Sequence, residues 1–193
     1  MKPQLLVVAG PNGAGKTAFV KEYLESHPCP YISADVIAEE MSPESVQDVR
    51  LKAGRAFLRS VSSQIREAAT FVVESTLSGL TFRNVLEEAR AAGYEIGIVF
   101  VFLSSSDACV ARIRERVRKG GHPVPEEDVH RRFSRSVRNF WETYRGLADH
   151  WHVFYNGGIQ FHEVAAGEGD SIEIRDEGLF STFLNITKES SNE

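Results

Sequence analysis

Residues Gly10 to Thr17 match a phosphate-binding pattern in full. They read Gly-Pro-Asn-Gly-Ala-Gly-Lys-Thr, which fits G-x-x-x-x-G-K-S/T. Glycines let the backbone N–H groups of such a loop converge on an anion, because no Cβ atoms intervene. Lys16 would reach the β- and γ-phosphates of a nucleoside triphosphate, and the Thr17 hydroxyl would ligate Mg²⁺. The predicted nucleotide-binding residues are Gly10, Pro11, Asn12, Gly13, Ala14, Gly15, Lys16 and Thr17.

The residues on either side of this loop suit its function. The apolar run 5–9 is typical of a buried parallel strand, and the residues after Lys16 have the spacing of an amphipathic helix. A helix that begins at the loop adds the partial positive charge of its N-terminus to the site.

Two carboxylates follow later predicted strands. Asp35 comes just after a strand at 31–34, and Glu74 ends a strand at 70–74. Ligands bind beyond the carboxyl ends of the strands in an open parallel sheet, so both side chains should face the phosphates. One would be a general base for an acceptor hydroxyl, and the other would hold Mg²⁺ or the acceptor. The alternatives are that Asp35 caps the following helix and that Glu74 is a solvated strand end.

A basic segment lies in the second half of the chain. Residues 112–145 contain ten Lys and Arg against five Asp and Glu, a balance of +5 in a chain whose net charge is −5. Arg112 and Arg116 share one helix face, and a Gly-Gly-His-Pro turn leads to a second Arg-bearing helix. Two such helices indicate a lid, at about 112–138, whose arginines neutralise a transferring phosphoryl group. The alternative for any single arginine is a solvated, salt-bridged helix face.

Length and composition indicate one α/β domain over residues 1–193. Strand and helix signals alternate, which implies a mainly parallel sheet with helices on both faces. A long helix is predicted with Ser42 as its N-cap and Pro43 at its first helical position, and its apolar residues recur at spacings of three and four from Val46 to Ala68. The segment 159–187 is predicted to form a small hairpin and a terminal helix.

Several classes of protein are disfavoured. The overall acidic balance argues against nucleic-acid binding, and the longest apolar run is too short to span a bilayer. Cys29 and Cys109 lack metal-ligand spacing and are expected to be reduced, which indicates a cytoplasmic protein.

Five segments together resemble the zeta-toxin-like P-loop kinases, in particular a compact bacterial branch of that family. They are the phosphate-binding loop at 10–17, Ser-Ala-Asp at 33–35, Glu-Ser-Thr-Leu-Ser-Gly at 74–79, Arg-Val-Arg-Lys-Gly-Gly-His at 116–122 and Arg-Arg-Phe-Ser-Arg-Ser at 131–136. The resemblance implies a P-loop NTPase kinase-like, three-layer α/β/α fold with a five-stranded, mainly parallel sheet and a helical lid.

The resemblance also implies chemistry. ATP and Mg²⁺ would be used to phosphorylate a hydroxyl of a small molecule, a UDP-sugar in the type members, and an antitoxin protein is a possible partner. Asp35 would be the catalytic base, with Glu74 and Thr76 on the acceptor or metal side. Arg112, Arg116 and a lid arginine at 131 or 132, assigned to Arg132, would bind phosphate. A nucleotide-dependent ATPase or switch and a 5′-hydroxyl nucleic-acid kinase remain the alternatives.

Overall fold

The computed structural model describes residues 2–42 and 46–189, which form a twisted sheet covered by helices. The strands are β1 (Gln4–Ala9), β2 (Tyr31–Ser33), β3 (Phe71–Ser75), β4 (Glu95–Phe102), β5 (His150–Tyr155), β6 (His162–Glu168) and β7 (Ser171–Ile174). The helices are α1 (Lys16–Ser26), α2 (Ala34–Met41), α3 (Val46–Arg66), α4 (Phe82–Ala91), α5 (Ser106–Arg118), α6 (Glu126–Asn139) and α7 (Glu177–Glu189).

The sheet has seven strands in the order β2-β3-β1-β4-β5-β6-β7. The first five are parallel, as predicted, whereas β6 and β7 are antiparallel. The prediction of five strands and a separate hairpin is therefore wrong on one point, because the hairpin continues the main sheet. Its Val164 and Ala165 are fully buried, and pairing β6 with β5 gives these apolar side chains a place in the core.

Alternating residues of the parallel strands enter two separate cores. Val7 faces the larger core, where it joins apolar residues of α3, α4, α6 and α7. Val8 faces the smaller core with Val20 of α1. Burial on both faces explains why β1 and β4 read as continuous apolar runs, and it confirms the predicted three-layer arrangement.

The long α3 helix packs through a stripe of Ala53, Phe57, Val61 and Ile65, all buried. Ala68, which the spacing included in this helix, lies beyond its end with a φ of 50° and is exposed. The predicted start at Pro43 lies outside the residues that the structure describes, and so does the side chain of Val46.

The predicted lid corresponds to α5, a turn at 119–125 and α6. The second lid helix is α-helical to Asn139 and continues as a π-helical turn, Phe140–Tyr144. Phe140 and Tyr144 are fully buried, so this last turn is held by the core. Among the residues described, none of the helices is long and apolar enough to cross a membrane.

The chain leaves β1 at a position that accepts only glycine. Gly10 has a φ of 137°, and a Cβ added there would lie 2.0 Å from the Val101 carbonyl oxygen of β4. Replacement by alanine would force a backbone carbonyl of the central sheet to move.

We predict that Gly10→Ala lowers the free energy of unfolding by roughly 2–5 kcal/mol, from steric overlap and the disfavoured φ. Gly54→Ala is the matched control, because Gly54 lies in α3 with nothing within 4 Å of an added Cβ. This control should be stabilised by roughly 0.5–1 kcal/mol. Urea denaturation followed by circular dichroism measures both, and equal stability of the two variants would contradict this account of the loop.

Candidate active site

The predicted phosphate-binding loop lies between β1 and α1, as its sequence requires. Gly13 and Gly15 have φ angles of 83° and 104°. Added Cβ atoms would lie 2.6 Å from the Cys109 carbonyl oxygen and 2.2 Å from Asn156 Nδ2, respectively. Asn156 Nδ2 also donates a hydrogen bond to the Ala14 carbonyl oxygen, at 2.8 Å. The loop is thus packed against α5 and the end of β5.

Lys16 lies over this loop with its ammonium group buried. Lys16 Nζ donates a hydrogen bond to the Pro11 carbonyl oxygen at 3.1 Å and lies 3.9 Å from Glu74 Oε1. The Asn12 side chain is buried beside it, and Asn12 Oδ1 has no hydrogen-bond partner among the described residues. Unsatisfied buried polar atoms are rare in folded proteins, and Asn12 Oδ1 is therefore available to accept a hydrogen bond from a water or a ligand.

Glu74 is the carboxylate at the centre of the site. Thr17 Oγ1 and Tyr31 OH donate hydrogen bonds to Glu74 Oε2, at 3.0 and 2.7 Å. The register explains this arrangement, because Glu74 pairs with Val8 of β1 and Ser33 of β2 at one level of the sheet. Burial, followed by the charge and hydrogen bond of Glu74, raises the pKa of the Tyr31 phenol, so it stays a donor. Glu74 is therefore not a solvated strand end.

Asp35 lies in the first turn of α2. The residue at the N-cap position is Ser33, so the alternative that Asp35 caps this helix is wrong. The Asp35 side chain is exposed and lines the same space as Lys16 and Glu74.

Two cavities meet above the loop. The larger, of about 500 Å³, contains Lys16, Thr17, Arg112 and Arg116 in its lining. The smaller, of about 230 Å³, is lined by Thr76 and Arg132 among others. Both cavities are lined by Asn12, Lys16, Ser33, Asp35, Arg50 and Glu74. The structure therefore separates the predicted arginines: Arg112 and Arg116 lie on the phosphate-loop side and Arg132 on the other side.

The lid touches both sides of the larger cavity. Arg112 Nη2 donates to the carbonyl oxygen of Asn156, and Arg116 Nη2 donates to the carbonyl oxygen of His122 at 2.8 Å. His122 Nε2 in turn lies 3.2 Å from Glu39 Oε1 of α2. The turn between the lid helices thus reaches the helix that carries Asp35.

The loop after β3 is fixed by α6 and the π-helical turn. Thr76, Leu77 and Gly79 each accept a hydrogen bond on the carbonyl oxygen. The donors are Ser136 Oγ, Asn139 Nδ2 at 2.9 Å and Tyr144 OH at 2.6 Å. Leu77 has a φ of 50° although it is not glycine, so these bonds hold a conformation that is otherwise disfavoured.

Three residues of the site were missed by sequence reasoning: Tyr31, Arg50 and Asp128. Tyr31 gave no signal apart from its place in a predicted strand. Arg50 did give one, since it lies three residues before Ala53 and seven before Phe57 on the buried stripe of α3. A charged residue on a core-facing stripe is unusual enough to mark a site. Asp128 gave a partial signal. Its pairing with Arg132, four residues later, follows helix spacing, whereas its contact with Arg50 joins two different helices.

Comparison with known proteins identifies the family. The model of a family described as an AAA domain matches residues 5–138, about two thirds of the chain. The chain belongs to this AAA-domain family. An uncharacterised protein of Haemophilus influenzae is 26% identical over 133 residues, which cover 69% of this chain and 94% of that protein.

Solved structures with low sequence identity share the fold. An AvrRxo1-ORF1:AvrRxo1-ORF2 complex, also solved with ATP, has a TM-score of 0.74 at 16% identity. The match covers 96% of this AAA-domain protein and 64% of the other chain. The PezAT toxin–antitoxin system of Streptococcus pneumoniae gives 0.65 at 13% identity over 99% and 86% of the two chains. Shikimate kinase from Bacteroides thetaiotaomicron gives 0.50 at 17% over 97% and 98%. These likenesses confirm the P-loop kinase-like fold.

We predict that Tyr31→Phe destabilises the protein by roughly 1–3 kcal/mol, because the buried Glu74 carboxylate loses a donor. The matched control is Tyr23→Phe, since no described residue accepts a hydrogen bond from the Tyr23 hydroxyl and its ring stacks on His27. Thermal unfolding measures both variants. A loss in Tyr31→Phe no greater than in the control would show that the bond to Glu74 contributes nothing to stability.

Proposed function

We propose that this protein transfers the γ-phosphoryl group of ATP to a hydroxyl of a small molecule. The observation that carries the proposal is the pair of cavities that meet at Lys16, Asp35 and Glu74. A phosphotransferase needs room for two substrates on opposite sides of the transferring group. The larger cavity contains the phosphate-binding loop and suits the nucleotide, and the smaller one suits the acceptor.

The proposed reaction is an in-line displacement. The acceptor oxygen forms a bond to the γ-phosphorus as the bond from that phosphorus to the bridging oxygen breaks, and ADP leaves with the electron pair. The proton of the acceptor hydroxyl passes to the Asp35 carboxylate, which acts as general base. Lys16, Arg112 and Arg116 neutralise negative charge on the phosphates from the loop side and the lid side.

The residues present fit a Mg²⁺ ion. The Thr17 hydroxyl and the Glu74 carboxylate lie within 3.0 Å of each other and are oxygen donors of the kind that Mg²⁺ prefers. We propose that they hold the ion, directly or through water. When bound, Mg²⁺ would neutralise phosphate charge. Glu74 also accepts the Tyr31 hydrogen bond, which keeps the carboxylate oriented toward Thr17.

The acceptor is proposed from the zeta-toxin resemblance and from the cavity. A UDP-sugar is one acceptor to screen, together with other hydroxyl-bearing metabolites. The resemblance also suggests an antitoxin as a protein partner. Co-purification of the protein with the products of neighbouring genes would test this proposal. The two cysteines are free thiols, and on that ground we propose a cytoplasmic location.

The alternatives are less well supported. A switch that only hydrolyses ATP has no use for the second cavity. A 5′-hydroxyl nucleic-acid kinase needs an extended positive track, but Arg114, Arg118 and Arg131 are paired with Glu126, Glu115 and Asp128. Oligonucleotide binding with a steep salt dependence would favour this alternative over a small-molecule kinase.

We predict that Asp35→Asn lowers acceptor-stimulated turnover by about 100-fold or more, because a general base contributes at least that factor. ATP affinity, measured by calorimetry, should remain close to that of the wild type. Glu40→Gln is the matched control, since Glu40 is an exposed carboxylate on the same helix that lines neither cavity.

The measurement is transfer of ³²P from ATP to a panel of UDP-sugars and other hydroxyl-bearing metabolites. Stimulated turnover that survives in Asp35→Asn would contradict the assignment of the base. Failure of the wild type to bind ATP and Mg²⁺ would contradict the proposed function as a whole.

A further inference from the structure

Two arginines line the smaller cavity, and one of them, Arg50, lies where the two cavities meet and lines the larger one as well. Arg50 comes from α3 and Arg132 from α6, and both line the space next to Asp35 and Thr76. Arg132 does not line the larger cavity. The Arg132 side chain would therefore interact with the acceptor and not with the nucleotide.

Arg50 occupies a position where the fold would accept an apolar residue. It continues the stripe Ala53, Phe57 and Val61, and its side chain is only 31% exposed. The Phe57 ring, 7% exposed, lies in the lining of the same cavity. A partly buried guanidinium on a core-facing stripe is costly, and this cost indicates a role at the cavity.

One carboxylate orients both guanidiniums. Asp128 Oδ2 lies 3.5 Å from Arg50 Nη1 and 3.2 Å from Arg132 Nη2, and Asp128 Oδ1 accepts a hydrogen bond from Arg131. The hydrogen bond from Arg131, and then the nearby arginine charges, lower the pKa of Asp128, so this carboxylate stays ionised.

The two guanidiniums also repel each other. Burial, and next the charge of Arg50, lower the pKa of Arg132. An anion between Arg50 and Arg132 would relieve this repulsion. Guanidinium groups offer planar, paired donors that match carboxylate and phosphate oxygens.

We infer that Arg50 and Arg132 select an acceptor that is a small hydroxylated anion, bearing a carboxylate or a phosphate close to the hydroxyl that is phosphorylated. This inference rests on the proposed function and narrows its substrate class. The volume of about 230 Å³ lies below the roughly 300–1,000 Å³ typical of sites for drug-sized ligands. A small hydroxylated anion fits this volume, whereas a whole UDP-sugar would extend beyond the cavity.

The first test measures anion binding without catalysis. Wild-type protein is saturated with ADP, Mg²⁺ and beryllium fluoride, which occupy the phosphate-binding loop, and malonate is then added. Malonate has two carboxylates and no hydroxyl, so it cannot react. We expect it to raise the melting temperature of the wild type and of Arg55→Gln, but not of Arg50→Gln. Arg55 is the matched control, as an exposed arginine on the same helix. The inference would be overturned if malonate raised the melting temperature of Arg50→Gln as much as that of the wild type, or if it did not raise that of the wild type.

The second test compares acceptors that differ in charge. Hydroxy acids and sugar phosphates are assayed beside their neutral counterparts, such as gluconate and glucose 6-phosphate beside glucose, with UDP-N-acetylglucosamine as the large anion. We expect the best acceptor to be a small anion. Comparison of the hydroxy acids with the sugar phosphates then shows whether its anionic group is a carboxylate or a phosphate. Arg132→Gln should raise KM for that acceptor about tenfold or more and leave KM for ATP within about twofold, because Arg132 lines the smaller cavity and not the larger one. Arg132→Lys should recover only part of the loss, because lysine lacks the paired donors.

The outcomes separate this inference from the proposed function. Preferred phosphorylation of a neutral acceptor, or of UDP-N-acetylglucosamine alone, would overturn the inference while the phosphotransferase survives. A rise in KM for ATP rather than for the acceptor in Arg132→Gln would do the same. Malonate binding that depends on Arg50, in a protein that transfers phosphate to no acceptor, would instead support the anion site and count against the proposed function.

Discussion

A buried carboxylate at the end of β3 is the interaction on which the site depends. Glu74 is 8% exposed, and a charge at that depth is stable only when hydrogen-bonded and paired. Its partners come from two other elements: Lys16 and Thr17 from the first turn of α1, and Tyr31 from β2. The phosphate-binding loop, the second strand and the third strand are therefore fixed relative to one another by one side chain. Any ligand bound by Lys16 or Thr17 must also interact with Glu74.

The sequence allowed the nucleotide half of this site to be predicted in detail. The loop motif specifies its own backbone, since Gly10, Gly13 and Gly15 are the residues that the positive φ angles and close approaches require. The parallel order of the first five strands then places Asp35 and Glu74 at one edge of the sheet, as the alternation of elements implied. The conformation of the loop follows from rules that act within a few residues, and the positions of Asp35 and Glu74 follow from the sheet topology.

The residues around the smaller cavity could not be predicted in the same way. Arg50 and Asp128 are 78 residues apart and meet only because α3 and α6 pack near the same sheet edge. The hairpin was predicted correctly as a pair, but its addition to β5 depends on the burial of Val164 and Ala165, which alternation alone does not specify. The spacing of polar residues within a helix predicts which side chains lie on one face of that helix. It does not predict which other helix packs against that face.

The two halves of the site are also supported differently. Arg132 shares α6 with Ser136 and Asn139, which hold the Thr76 and Leu77 carbonyl oxygens. The smaller cavity is thus joined to the strained loop after β3 and to the core through the buried Phe140 and Tyr144. Arg116, by contrast, donates to the carbonyl oxygen of His122 in the turn at 119–125, and His122 pairs with Glu39 of α2 at the surface. Movement of the lid over a nucleotide would break this surface pair. Movement of Arg132 together with α6 would break several partly buried hydrogen bonds, so we expect the smaller cavity to be the more rigid of the two.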